Sequence, residues 1–152
     1  MLELRSPQAV ARELLRVPDG FRFGRDHSLP SIEIAGDFVL LDARSAKEET
    51  EGRDAPLARL AEDWWIFAIS GTGDAWLIST DDGQRICFLD HDAGPDAVPQ
   101  ALGIDFGQWL QLADLLRQFE SADDARLTGQ VVQLLDAISA GLSTRYPYRL
   151  EV

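Results

Sequence analysis

The sequence predicts an α+β fold, with an antiparallel sheet of about four to six strands and helices at the N- and C-terminal ends of the sequence. Two patterns lead to this prediction. Short apolar segments separated by turn residues occupy the middle of the chain, and apolar residues at helical spacing occur near both ends. The chain has 152 residues, a length typical of one domain, so a single domain over residues 1–152 is expected.

The first helix is predicted from the signals at its start. Ser6 is a suitable N-cap, Pro7 suits the first helical position, and apolar residues recur at helical spacing from Val10 to Val17. The turn-forming residues Pro18 to Gly20 are predicted to end this helix.

Two short extended segments are predicted next, Ile32 to Ile34 and Phe38 to Leu41, with the turn pair Gly36 and Asp37 between them. The segment Ser45 to Pro56 that follows is polar. It is predicted to be a mobile loop or a short exposed helix that makes no contacts on which the structure depends.

Three strands in quick succession form the clearest part of the pattern. In Trp64 to Ser70, the residues that would face either side of a strand are apolar. This pattern is typical of a central strand covered on each face. Ala75 to Thr80 and Arg85 to Leu89 follow, each after a short turn that contains glycine. Because short turns force neighbouring strands to pair, these segments predict an antiparallel meander. Residues 91–104 show no regular period.

The C-terminal third predicts two helices. Asp105 is placed as an N-cap, and apolar residues recur at helical spacing from Phe106 to Phe119. A second helix is predicted over about Asp123 to Ala140, with Gly141 as its C-terminal stop. The tail Tyr146 to Leu150 is predicted to be a short strand or an arm.

The charge of the chain narrows the class of partner. Its 14 Lys and Arg against 26 Asp and Glu give a net charge of -12, which argues against nucleic-acid binding because phosphates need a cationic surface. The stretch Glu62 to Asp105 has nine acids and only Arg85 as a base, a net charge of -8. A partner of this stretch is expected to be basic. The alternative is that these aspartates occupy solvated turns and keep the protein soluble.

Cysteine usage and hydropathy favour a cytoplasmic protein. Cys87 is the only cysteine, so an intrachain disulfide and a CxxC site are both excluded. No run of about 18 apolar residues occurs, and the first residues are charged, so neither a membrane span nor a signal peptide is expected.

Two local patterns suggest chemistry, and each has a simpler explanation. Gly71 to Asp74 resembles a phosphate-binding loop, but a strand follows it where a helix would be needed, so a hairpin turn is predicted. Asp90, His91 and Asp92 have the character of metal ligands if Asp74 or Asp96 comes close. In a strand, however, His91 would point away from its two neighbours, and the three residues would form the hydrated end of that strand.

Nucleophilic catalysis is poorly supported. His27 and His91 are the only histidines, and Cys87 lies in an apolar strand where it is expected to pack as a small hydrophobic residue. Tryptophans could form an aromatic binding wall, but core packing is the default. Structural roles are expected for Trp65, Phe67, Trp76, Phe88 and Trp109.

A resemblance to a known family rests on the order and spacing of several segments. These are Trp64 to Ser70, the turn Gly71 to Asp74, Trp76 to Ile78, Ile86 to Phe88 with Asp90 to Asp92, and Phe106 to Leu110. Together they resemble the SUKH superfamily, which contains the fungal cell-wall assembly regulator domain and many bacterial immunity proteins. The resemblance implies an α+β protein-binding module with no catalytic residues.

The predicted function is that of a cytoplasmic bacterial immunity protein, which binds and neutralises a basic, nuclease-type toxin. The alternative is a cellular scaffold or regulator of the same fold, and a metal-dependent enzyme centred on His91 is a third hypothesis. No cofactor, nucleic acid or membrane is expected. The predicted partner-binding residues are Asp74, Asp81, Asp82, Asp90, Asp92 and Asp96, with His91 at their margin.

Overall fold

A computed structural model describes residues 1–16, 29–52, 63–81, 83–93 and 98–150. Six strands form one sheet in which each strand pairs antiparallel with the next along the chain. The sheet and the helices at both ends of the sequence confirm the predicted α+β fold. The strands are β1 Ile32–Ala35, β2 Phe38–Leu40, β3 Trp64–Ile69, β4 Ala75–Ser79, β5 Arg85–Leu89 and β6 Gln100–Asp105.

The central strands β3, β4 and β5 confirm the predicted meander. Leu77 of β4 lies opposite Ile66 of β3 on one side and Cys87 of β5 on the other. Trp76 and Leu77 point to opposite faces of the sheet, and both are buried. Burial on both faces explains why these strands are continuously apolar rather than alternating with polar residues.

The sequence pattern does not predict strand β6, because residues 91–104 show no regular period. Leu102 and Ile104 do alternate with exposed neighbours and are buried. The pairing of β5 with β6 shifts register, however, and Gly103 within the irregular stretch has a positive φ of 69°. A glycine and a bulge inside a short strand hide its alternating pattern from a sequence-based reading.

Helix α1, Pro7–Val10, begins as predicted, since the hydroxyl of Ser6 accepts a hydrogen bond from the backbone N–H of Ala9 at 3.1 Å. It continues as a π-helical turn, Ala11–Leu15. The helical segment ends earlier than predicted because Arg16 adopts a left-handed conformation with φ 56°. Left-handed backbone cannot continue a right-handed helix.

Helix α2, Ala43–Glu51, corrects the prediction that this polar segment makes no structural contacts. Asp42 caps its start, and Ala46 and Thr50 are buried. The hydroxyl of Thr50 accepts a hydrogen bond from the backbone N–H of Ile66 at 2.9 Å. Strand β2 is too short to pair with β3 at this point, so a helix side chain satisfies that buried backbone group. Gly52 follows the helix as its C-cap, and residues 53–56 of the predicted segment lie outside the described residues.

Helix α3, Phe106–Ala122, confirms the predicted N-cap. The carboxylate of Asp105 accepts a hydrogen bond from the backbone N–H of Gln108 at 2.9 Å, and the Gln108 side chain accepts one from the backbone N–H of Asp105 at 3.0 Å. This reciprocal pair is a capping box. The apolar side of α3 packs against the sheet, and residues of this helix meet those of the N-terminal segment and of β1.

The predicted second C-terminal helix is shorter than expected. A 3-10 turn leads into α4, Thr128–Ile138. The helix ends where Ser139 becomes extended, so Gly141 does not stop it. Gly141, with φ 79°, instead precedes the short helix α5, Leu142–Arg145. Among the described residues, no helix combines the length and apolar character that crossing a membrane requires.

Aromatic side chains between α3 and the sheet form the centre of the core. Trp109 of α3 contacts Phe67 at a ring-centroid distance of 4.7 Å and Phe38 at 5.6 Å. Trp76 stacks on Phe38 at 5.1 Å. The five residues predicted to be structural, Trp65, Phe67, Trp76, Phe88 and Trp109, are all buried, which confirms that part of the prediction.

Candidate functional site

The turn between β3 and β4 places Asp74 inside the protein. The backbone N–H of Ser70 donates to the carbonyl of Asp74 at 2.9 Å, which closes the turn. Gly73 has a positive φ of 92°, and a Cβ on Gly71 would lie 3.0 Å from the carbonyl oxygen of Gly36. Both glycines are therefore explained by the turn and its packing, as the hairpin interpretation predicted.

Asp74 is 5% exposed, and its carboxylate accepts hydrogen bonds from three separate segments. Oδ2 accepts from the hydroxyl of Tyr148 at 2.6 Å and from that of Thr72 at 3.1 Å. Oδ1 accepts from the backbone N–H of His91 at 2.9 Å and pairs with its ring nitrogen Nδ1 at 2.5 Å. Burial by itself would raise the pKa of Asp74, but these bonds outweigh it and lower the pKa to about 2.

The position of His91 corrects the prediction that it points away from its neighbours. Strand β5 ends at Leu89, and His91 begins a 3-10 turn, so strand alternation does not apply. The imidazole Nε2 lies 3.2 Å from a carboxylate oxygen of Asp92, and Nδ1 lies 4.0 Å from one of Asp90. The hydrogen bond to Asp74 and these nearby carboxylates raise the pKa of His91.

Residues 146–150 form an arm rather than a strand, so the second of the two predicted alternatives is correct. The ring of Tyr148 meets that of Phe88 edge to face at 5.4 Å, and Tyr146 stacks on Phe38 at 6.5 Å. Tyr146 is almost completely buried, and burial raises its pKa. This C-terminal arm supplies Tyr148 to the site, a contribution that the sequence analysis missed.

A cavity of about 580 Å³ lies between the C-terminal arm and residues 90–92, which we call the His91 turn. The side chains of Asp90, His91 and Asp92 are 58%, 40% and 82% exposed, so they form a rim that solvent reaches. The cavity is lined by Thr72, Asp74, Phe88, Asp90, His91, Asp92, Pro147 and Tyr148. The structure thus brings together four of the predicted site residues.

Of the other predicted contact residues, Asp81 does not join this cluster. Asp81 follows β4, at the end of the sheet opposite to Asp74, and its carboxylate pairs with Arg85 at 3.0 Å. A strand of this length separates the two ends by roughly 15 Å. Asp82 and Asp96 lie outside the described residues. Asp74 itself is buried, so it fixes the His91 turn through hydrogen bonds and offers little surface for direct contact with a partner.

Among the described residues, Asp74, Asp90 and His91 could also hold a metal ion. One ligand atom from each lies within 4.8 Å of the others, which satisfies the condition that Asp74 approaches the His91 turn. An imidazole with two carboxylates suits a divalent transition metal. Both oxygens of Asp74 already accept hydrogen bonds from protein donors, however, so a metal would have to displace some of them.

A second cavity, of about 400 Å³, lies beside Trp64 and Arg85. The guanidinium of Arg85 lies 5.6 Å from the centre of the Trp64 ring. The thiol of Cys87 lines this cavity but is buried, and burial raises its pKa. A raised pKa disfavours the thiolate, so this cysteine is poorly suited to act as a nucleophile.

The titration of His91 and Asp74 predicts how stability depends on pH. The pKa of His91 is raised above its ordinary 6.5, so its stabilising contribution is complete below pH 6.5 and is lost as pH rises through the raised value. The pKa of Asp74 falls from 3.8 to about 2, so its contribution is complete above pH 3.8 and is lost as pH falls towards 2. Thermal unfolding from pH 5 to 9 tests this assignment. The melting temperature of the wild-type protein is expected to fall as pH rises through the raised pKa of His91, and most of this fall is expected to be absent in His91→Gln. An identical decline in both proteins would contradict this assignment.

The sequence segments that resemble the SUKH superfamily occupy β3, β4, β5, the turns that follow β3 and β5, and the start of α3. Their fold is α+β, as the resemblance implies. A comparison of the chain with models of known protein families, with curated proteins and with solved structures finds no match. Membership in the superfamily therefore stays a prediction that rests on these segments alone.

Proposed function

We propose that this protein is a non-catalytic binding module that presents the His91 turn to a basic protein partner. The observation that carries the proposal is the arrangement around Asp74. The carboxylates of Asp90 and Asp92 face solvent, whereas the buried Asp74 fixes the turn through His91. A fixed, exposed group of like charges favours association with a surface of opposite charge, because little ordering is needed on binding.

The partner proposed is a nuclease-type toxin, and the role proposed is that of a cytoplasmic immunity protein with a SUKH-like fold. A nuclease holds phosphates with a cationic surface, and an inhibitor that covers this surface benefits from clustered carboxylates. The net charge of -12 supports such a partner. A scaffold or regulator would use the same surface for a cellular protein, and a neighbouring toxin gene would distinguish immunity from that role.

The proposal is tested with the full chain and the partner that it captures from its native organism, identified by mass spectrometry. The double variant Asp90→Asn/Asp92→Lys is expected to bind that partner at least about tenfold more weakly, since it removes and reverses charge at the surface. The asparagine keeps an oxygen that accepts the hydrogen bond from the backbone N–H of Asp92. The melting temperature is expected to change little, because both side chains are exposed.

The matched control is Glu33→Gln/Glu51→Lys, which changes the net charge equally at exposed positions of β1 and α2. The control is expected to bind the partner with nearly wild-type affinity. Equal weakening by both double variants would show that overall charge, and not the His91 turn, governs association. Unchanged affinity in the Asp90/Asp92 variant would reject the proposed surface.

A metal-dependent enzyme is the second candidate, and the approach of Asp74 to His91 and Asp90 favours it. Elemental analysis of the purified protein distinguishes the two. A stoichiometric divalent ion that is lost in His91→Ala would support the metal site, whereas a protein free of such an ion that still binds its partner would support the binding module.

A further inference from the structure

The cavity beside the His91 turn is lined by two chemically different kinds of side chain. The carboxylates of Asp90 and Asp92 border it, and so do the aromatic rings of Tyr148 and of Phe88, which is 6% exposed. Carboxylates alone would attract any cation. The rings add a surface that favours a flat or organic cation, because aromatic faces attract cations and shed water easily.

We infer that this cavity receives an arginine side chain from the surface of the basic partner. The inference rests on the proposed function and specifies the contact through which that function operates. A guanidinium is planar, can donate to two carboxylate oxygens at once and stacks on aromatic rings. Its three-carbon stem would lie along the ring of Tyr148 while its charged end meets Asp90 and Asp92.

The cavity has room for one such side chain. Its volume of about 580 Å³ lies within the range of sites for small organic groups. The cavity is open to solvent, as insertion of a side chain from another protein requires. Arg85 lies at the other end of β5, beside Asp81, so this exposed arginine does not compete for the cavity.

A single carboxylate connects the two segments that border the cavity, the C-terminal arm and the His91 turn. Asp74 accepts a hydrogen bond from the hydroxyl of Tyr148 on the C-terminal arm and pairs with the ring of His91 on the His91 turn. Tyr148 and the His91 turn are therefore joined through Asp74 before any partner arrives. A preformed cavity loses less conformational freedom on binding than a loose loop would.

The experiment uses N-acetyl-arginine N-methylamide as the probe and follows the backbone amide signals of Thr72, His91 and Tyr148 by NMR. The probe is expected to shift these signals in a saturable manner. N-acetyl-citrulline N-methylamide, which has nearly the same shape without the charge, is expected to cause no saturable shift. The corresponding lysine amide is expected to bind more weakly, because an ammonium is not planar. It can neither stack flat on an aromatic ring nor donate parallel hydrogen bonds to carboxylate oxygens as a guanidinium does.

The variant Asp90→Asn/Asp92→Asn is expected to weaken binding of the arginine probe by about tenfold or more, since two charged contacts are lost. The control Glu33→Gln/Glu51→Gln removes the same charge elsewhere and is expected to bind the probe normally. Equal shifts by the arginine and citrulline probes, or equal binding by the two variants, would overturn the inference.

These results separate the inference from the proposed function. A partner that binds wild-type protein but binds Asp90→Asn/Asp92→Asn equally well would leave a binding module whose contact lies elsewhere, and the inference would be wrong. If the protein binds the arginine probe specifically but captures no basic partner, the inference that the cavity binds arginine would be supported and the proposed function would be wrong.

Discussion

Replacing Asp74 by asparagine is expected to lower the free energy of unfolding by about 3 kcal/mol, although the two side chains have nearly the same shape. The carboxylate is buried and accepts hydrogen bonds from the hydroxyls of Tyr148 and Thr72 and from the backbone N–H and ring Nδ1 of His91. Asparagine has one acceptor oxygen in place of two. Its NH2 group can only donate, so it cannot accept the hydrogen bonds that the second carboxylate oxygen accepts in the wild-type protein. At least one buried donor therefore loses its partner, and the remaining bonds lose their charge-assisted strength. Urea denaturation at pH 7 measures the difference.

Asp90→Asn is the matched control, because the same chemical change is made on an exposed side chain of the same cluster. It is expected to change the free energy of unfolding by less than about 0.5 kcal/mol. NMR titration provides a second measurement, since the pKa of His91 should fall towards its ordinary value in Asp74→Asn. Equal stability of the two variants, or an unchanged pKa of His91, would show that Asp74 does not hold the site together.

The local parts of the fold could be predicted from the sequence because their causes lie within a few residues. The N-caps Ser6 and Asp105 each satisfy a backbone N–H three residues ahead. Strands β3 to β5 follow from a continuous apolar pattern with short glycine-containing turns. Strand β6 was missed because Gly103 and a register shift interrupt its alternation within six residues.

The site was predicted only in part, because its decisive contacts join distant positions. The identity of the acidic residues and of His91 could be read from the sequence. The hydrogen bond between Tyr148 and Asp74 joins residues 74 positions apart, and the one between His91 and Asp74 spans 17. No periodicity links such residues. The direction of the His91 ring also depends on where β5 ends, and strand ends are the least certain part of any sequence-based prediction.

Burial changes the role that sequence alone assigned to Asp74. Among seven polar residues predicted to contact a partner, it was treated as equivalent to Asp90 and Asp92. Its interior position makes it the support on which the exposed residues depend. An acidic residue next to a turn therefore has two possible roles, a solvated charge or an internal acceptor, and only the packing of distant segments decides between them.

Truncating Trp109 to alanine is expected to lower the free energy of unfolding by about 4 kcal/mol, because a fully buried aromatic side chain leaves a large cavity. The indole contacts Phe38, Phe67 and Trp76 between α3 and the sheet, so the loss affects both layers. Chemical denaturation followed by circular dichroism measures the change. A loss below about 1 kcal/mol would show that the core does not depend on this contact.

Phenylalanine substitutions test the same core more finely, because two buried tryptophans differ in their hydrogen bonding. Trp76 Nε1 donates to the backbone carbonyl of Asp37 at 2.7 Å. Trp109 Nε1 is buried and has no hydrogen-bond partner among the residues that the structure describes. Trp109→Phe removes an unsatisfied donor, which offsets part of the lost packing, so it is expected to cost about 1 kcal/mol. Trp76→Phe loses both packing and a hydrogen bond and is expected to cost about 3 kcal/mol. The opposite order of these two costs would mean that the indole N–H of Trp109 is satisfied in solution.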